Sequence, residues 1–294
     1  MSSLSKVNKI ALGTVQFGID YGVANQAGRV STDAVKNILK YAQDSGIDVL
    51  DTAIAYGESE RVLGESNIQN FSIVTKLPEL PIQADPLFWV QNQLRGSLER
   101  LGVSCVDGLL LHRPGQLLQE NGDVLYEQLL FLKQQGLVKR IGVSVYGPEE
   151  LEQLSERFHF DLVQAPFSIV DQRMKHSGWL GRLQESGTAL HVRSVFLQGL
   201  LLMSPASRPE KFSPWAQLWV EWENWLRETQ QTALEACIRF AVDTPEIEKV
   251  VVGVDSLSQL EEIVLAADGE SFALPHALHN EDSRLLNPAC WSSL

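Results

Sequence analysis

Short, almost wholly apolar runs alternate along this chain with longer stretches in which apolar residues recur every three or four positions. The runs fall at 9–13, 49–51, 72–76, 106–112, 138–144, 161–165, 189–195 and 250–253. Uninterrupted apolar runs of this kind mark parallel strands that helices cover. Between them the spacing predicts helices at 32–44, 58–65, 86–101, 124–135, 148–158, 179–185, 229–242 and 257–267. The period is clear at 86–101, with Leu87, Val90, Leu94, Leu98 and Leu101. The punctuation agrees. Ser31 or Thr32 caps the first helix, Gly46, Gly136 and Gly187 follow helix ends, and Pro148 sits in a first turn. Eight strand–helix units is the number that closes a parallel barrel. An open doubly wound sheet competes, but it normally carries GxGxxG after its first strand. Here that turn reads Gly13-Thr14-Val15-Gln16-Phe17-Gly18. The expected fold is α/β, a (β/α)8 TIM barrel, with 1–294 as a single domain.

Three of the runs end on a titratable residue: Asp51, Lys76 and His112. The carboxyl ends of neighbouring strands in such a barrel converge on one face, where active sites are built. Tyr56, five residues past Asp51, reaches the same face. A tyrosine among an acid, an amine and an imidazole is a proton-transfer device.

Composition narrows the partners. The chain has 294 residues, is 44% hydrophobic and 21% charged, and carries a formal charge of -13. That charge argues against nucleic acid and against an anionic membrane surface. No apolar run reaches membrane-spanning length. The first nine residues lack the apolar core of a signal peptide. Cys105, Cys237 and Cys290 are far apart and read as reduced thiols. The expected location is cytoplasmic.

The segment Asp51-Thr52-Ala53-Ile54-Ala55-Tyr56-Gly57-Glu58-Ser59-Glu60 resembles the DTAxxYGxSE signature of aldo-keto reductases, and every fixed position agrees. Leu12-Gly13-Thr14, Thr75-Lys76, Leu111-His112, Gly142-Val143-Ser144, Val163-Gln164, Gln198-Gly199-Leu200 and the segment 253–262 resemble other parts of that family. The resemblance implies metal-free reduction of a small-molecule carbonyl (an aldehyde, ketone or sugar-like compound) with NADP(H) or NAD(H), the former slightly favoured. It implies Tyr56 as proton donor and Lys76 as the cation that lowers its pKa. Asp51 then holds Lys76, while His112 orients the carbonyl and helps pass the proton. It places the cofactor on Gly13, Thr14, Asp51, Ser144, Gln164, Arg193, Ser194, Gly199, Gly253, Ser256, Gln259 and Glu262.

There are departures from the family pattern. Neutral Gly253 and Gln259, with Asp255 nearby, stand where NADPH-preferring members often carry Lys and Arg. Val145 replaces an Asn, and Arg193 replaces an aromatic ring that lies under the nicotinamide. A planar guanidinium can stack there instead.

Trp215, Trp219, Trp222 and Trp225 form one helical stripe. It reads as a helix docking on the barrel, a lid, or a partner interface. Asp20 and Tyr21 are candidate substrate contacts. His276 and His279 are spaced as metal ligands can be, but no third ligand is evident, so no metal is assigned. Two rival functions remain: a nicotinamide-binding regulatory subunit with vestigial catalysis, and a barrel lyase or isomerase using Lys76 as a Schiff base. The oligomeric state is not legible in the sequence.

Overall fold

The computed structural model describes residues 6–23, 25 and 28–294. Eight strands run parallel and close on themselves: β1 Ile10–Gly13, β2 Val49–Asp51, β3 Ser72–Leu77, β4 Val106–Leu111, β5 Val138–Ser144, β6 Leu162–Pro166, β7 Ala189–Arg193 and β8 Lys249–Gly253. The barrel closes where Ile10 pairs with Val250 and Gly13 with Gly253. Around it lie α1 Thr32–Asp44, α2 Ser59–Gly64, α3 Pro86–Leu101, α4 Gly122–Gln134, α5 Pro148–Ser155 and α6 Trp179–Glu185. They are followed by α7 Ala216–Thr229, α8 Ala233–Val242 and α9 Leu257–Ala266. This is the (β/α)8 barrel the apolar runs predict.

Strand alternation sets up the site. Ala11, Val49, Val74, Leu110 and Leu162 pack together as an apolar plug inside the barrel. Successive side chains on a strand point to opposite faces, so residues two apart share one. Two positions beyond the plug residues stand Gly13, Asp51, Lys76, His112 and Gln164. The polar groups therefore form the interior layer above the plug, at the carboxyl ends. The amino ends carry a separate ion network, in which Glu248 meets Arg140 and His191, Arg140 meets Asp107, and Lys249 meets Asp48.

Several element ends differ from expectation by a few residues, the helix expected at 148–158 stopping at Ser155 among them, and the local geometry is clear at three more. The run at 106–112 stops as a strand at Leu111, although His112 N still donates to Leu77 O. The run at 189–195 stops at Arg193, because Ser194 turns into the left-handed region at φ 62°. The helix expected at 229–242 starts only at Ala233. Gln230 is left-handed and ends α7, and Thr232 and Glu235 form a reciprocal capping box that starts α8.

The tryptophan stripe docks α7 on the barrel. Trp219, Trp222 and Trp225 are buried, and their indole N–H groups donate to Phe212 O, Leu201 O and Ala273 O. None of the three lines the central cleft. No helix among the described residues is long and apolar enough to cross a membrane.

Candidate active site

The loop after β2 carries Tyr56, and its neighbours fix it. Thr14 Oγ1 donates to Asp51 O, and the Ser59 hydroxyl lies 2.9 Å from both Thr14 O and Thr14 Oγ1. Thr52 Oγ1 is 3.1 Å from the same Ser59 oxygen. The first βα loop presses on this turn so closely that a Cβ on Gly18 would lie 1.7 Å from Tyr56 O. Gly57 has φ 55° and also abuts Gly18 O, so a side chain there meets both strain and a clash.

Glu60 is the buried anchor of the same segment. Its Oε1 accepts from Thr75 Oγ1 at 2.7 Å and Ser97 Oγ at 2.6 Å, and its Oε2 pairs with Arg100. One carboxylate thus ties α2 to β3 and α3. Glu60→Ala leaves two buried hydroxyls and a guanidinium without their acceptor, and is expected to destabilise the protein by ~3 kcal/mol. A thermal melt checks this, and an unchanged Tm would show that the network carries no weight.

The four expected catalytic residues meet. Lys76 Nζ donates to Asp51 Oδ1 at 2.6 Å and to Thr52 O at 2.9 Å. It stands 5.2 Å from the Tyr56 ring centroid. The Tyr56 and His112 rings contact edge-on, with centroids 5.8 Å apart. Gln164 Nε2 donates to the other Asp51 oxygen at 2.6 Å, and Ser144 Oγ reaches Gln164 Oε1 at 3.5 Å. Burial pulls the Lys76 ammonium down, but Asp51 and Tyr56 outweigh it and hold the group above the ordinary lysine value. Burial, with the Lys76 and Arg193 cations behind it, pulls the His112 imidazole down to about 4. His112 is therefore a neutral hydrogen-bonding group at neutral pH.

These residues open into a cleft of about 570 Å³. Gly13, Thr14, Ser144, Gln164, Arg193, Ser194, Gly199, Gly253, Gln259 and Glu262 line it with Asp51, Tyr56 and His112; Lys76 lies beneath. Two expected contacts change. Ser256 does not line the cleft, and its hydroxyl accepts from Gln259 N to cap α9. Thr14 contributes its surface only, since its hydroxyl is spent on Asp51 O. Arg193 donates to Val145 O and Ser194 Oγ and packs 5.0 Å from the Tyr146 ring centroid.

The cleft fits an elongated, partly anionic cofactor. In the loop after β7, Ser194, Leu197, Gln198 and Gly199 all have positive φ. The N–H groups of Val195, Phe196 and Gln198 have no acceptor among the described residues. Such turns make anion-binding concavities. Gln16 lines the cleft too, and its buried Oε1 has no hydrogen-bond partner among the described residues.

Sequence reasoning did not single out Arg113 or Tyr146, which also line the cleft. Arg113 directly follows His112, and Tyr146 follows Ser144 by two, so adjacency to the motifs was the available signal. Of the two candidates in the first loop, Tyr21 lines the cleft and Asp20 does not. His276 and His279 lie elsewhere, and the His176 ring packs 4.3 Å from that of His279. No group of three or more metal-ligating side chains is arranged to hold an ion among the described residues.

A model of the aldo/keto reductase family matches residues 9–274. The chain is 25% identical over 285 residues to the oxidoreductase YqkF of Bacillus subtilis (strain 168), covering 89% of this chain and 92% of that one. It is similar to the solved aldo-keto reductase AKR11C1 from Bacillus halodurans, with a TM-score of 0.73 and 22% identity over 94% of this chain and 95% of that one. The glycerol dehydrogenase AKR11B4 from Gluconobacter oxydans shows the same fold, with a TM-score of 0.69 at 20% identity over 90% of this chain and 88% of that one. The match of the family model along nearly the whole barrel means that this chain belongs to the aldo/keto reductase family and is an NAD(P)-dependent oxidoreductase.

Proposed function

We propose that the protein reduces the carbonyl of a small aldehyde, ketone or sugar-like compound, with Tyr56 as the proton donor. The observation that carries this reading is the convergence of Tyr56, the Lys76–Asp51 pair and a neutral His112 at one end of the cleft. A reduced nicotinamide bound in the cleft supplies the hydride. Its holders are Ser144 and Gln164 at the reacting end, the Ser194–Gly199 loop along the middle, and Gly253, Gln259 and Glu262 at the far end.

The chain's own residues do the rest. His112, neutral, donates an N–H to the carbonyl oxygen and orients it. Negative charge grows on that oxygen during reduction and must be met by a donor as it forms. Tyr56 gives its phenolic proton there. Lys76 stays an ammonium and stabilises the phenolate left behind, while Asp51 fixes the Lys76 position. Gln164 holds the second Asp51 oxygen, so the carboxylate cannot turn away. The Schiff-base rival needs a neutral lysine nucleophile, and the pairing with Asp51 favours the charged form. Spectrophotometric turnover of NADH and NADPH with an aldehyde and sugar panel tests the reading. Absence of turnover with every member would leave the regulatory-subunit alternative.

Cofactor discrimination follows from the far end of the cleft. Asp255, Gln259 and Glu262 line it without a basic residue, and Asn25 Nδ2 donates to Asp255 Oδ1. We expect Kd values for NADPH and NADH within about tenfold, ~1.4 kcal/mol. Gln259→Arg is expected to shift preference to NADPH, because a guanidinium matches phosphate geometry. Fluorescence quenching by both cofactors checks this. A wild-type preference for NADPH above about a hundredfold would contradict it.

A further inference from the structure

The cleft is electrically lopsided in a protein that is acidic overall. The sequence holds 37 acidic and 24 basic residues. Nine of the fourteen arginines pair with a carboxylate, and Arg29, Arg95 and Arg227, which have no such pair among the described residues, lie outside the cleft. The two arginines that line the cleft, Arg113 and Arg193, have no carboxylate at ion-pairing distance among the described residues. Both flank one ring. The Arg113 guanidinium carbon is 5.6 Å from the Tyr146 ring centroid, and that of Arg193 is 5.0 Å from it.

The Tyr146 ring is itself held in place. Its backbone N–H donates to Glu150 Oε2, and its carbonyl accepts from Arg173, which Asp171 neutralises. Two like charges on one fixed ring repel each other, and no carboxylate pairs with either among the described residues. Arg193 spends donors on Val145 O and Ser194 Oγ. Arg113 makes one side-chain hydrogen bond among the described residues, a 3.3 Å contact to Tyr146 Oη, and its side chain is exposed. The remaining donors of its planar fork have no partner among the described residues, and Arg113 lines the same cleft as its chain neighbour His112, the residue that orients the carbonyl. The acidic groups of the cleft lie either on Lys76 (Asp51) or at the opposite, cofactor end (Asp255, Glu262).

We infer that the substrate is an anionic carbonyl compound, and that Arg113, backed by Tyr146 and Arg193, binds its carboxylate or phosphate. Arginine binds either group through paired N–H donors. This inference rests on the reading of the site as a carbonyl reductase. Arg113 is then a specificity residue on the substrate side, distinct from the residues that hold the cofactor.

The test is steady-state kinetics on two matched pairs. Succinic semialdehyde against butyraldehyde carries the carboxylate arm, and glyceraldehyde 3-phosphate against glyceraldehyde carries the phosphate arm. In at least one arm the anionic member is expected to show kcat/KM about thirtyfold higher, the size of one charge-assisted contact. Arg113→Met removes most of that advantage through KM, Arg113→Lys restores part of it, and the cofactor Kd stays within about twofold. Equal kcat/KM within both pairs overturns the inference and leaves carbonyl reduction standing. So does an Arg113→Met variant that slows both members alike or loses cofactor affinity. If no carbonyl turns over, calorimetry with succinate and inorganic phosphate separates the two readings. Anion binding that Arg113→Met abolishes keeps the anion site and removes the reductase reading, whereas no binding removes both.

Discussion

Tyr56→Phe is expected to lower kcat by about a hundred- to ten-thousandfold, the usual contribution of a positioned acid–base group, or ~3–5 kcal/mol of barrier. The substitution removes one hydroxyl and little else. Tyr56 is half-buried, its ring meets His112 edge-on, and a phenyl ring keeps that contact. The turn that carries it is held by Ser59, Thr52 and the Gly18 approach, none of which involves the phenol. Stability and cofactor affinity therefore stay near wild type. The loss falls on kcat because the proton is given only as the carbonyl is reduced. His112 cannot replace it, since an imidazole held down to about 4 is neutral at neutral pH, and its one N–H donates a hydrogen bond without acting as an acid. A variant that keeps more than about a tenth of wild-type kcat, a barrier change under ~1.4 kcal/mol, would remove Tyr56 from the mechanism.

Lys76→Met is expected to abolish reduction and also to destabilise the fold by ~3–5 kcal/mol, because it strands a buried carboxylate. Lys76 and Asp51 are 0% and 3% exposed, and after the substitution only Gln164 still donates to the Asp51 side chain. The two effects separate in the double variant Asp51→Asn/Lys76→Met. It replaces an ion pair with neutral groups of similar size, so its Tm is expected to return most of the way to wild type. Its activity is expected to remain lost, because the cation that stabilises the Tyr56 phenolate is gone. A double variant that recovers both Tm and turnover would show that the pair serves packing alone.

The barrel and the meeting of Asp51, Lys76 and His112 at one end of it were legible because both follow from strand periodicity. Apolar runs that end on Asp51, Lys76 and His112 put those residues one alternation above the interior plug, wherever the exact strand ends fall. The start of α8 was also written in the chain, as Thr232 followed three residues later by Glu235, yet the apolar pattern of 229–242 masked it. Family position sets Ser256 against the cofactor, whereas in the structure its hydroxyl caps α9 and it does not line the cleft. The Arg113–Tyr146–Arg193 cluster was not legible. It joins the ends of β4, β5 and β7, and only the closed barrel brings those loops together. The same holds for the Glu60 network, whose partners Thr75, Ser97 and Arg100 come from β3 and α3.

The central claim is direct hydride reduction of a carbonyl at the Tyr56 end of the cleft. It is tested most directly by running the reaction with NADH carrying two deuterium atoms at the transferring carbon. The isolated alcohol is then analysed by mass spectrometry. Wild type is expected to place one deuterium on the carbinol carbon of the product, and Tyr56→Phe to give almost no product. Unlabelled alcohol, or a borohydride-trapped substrate adduct on Lys76, would contradict it.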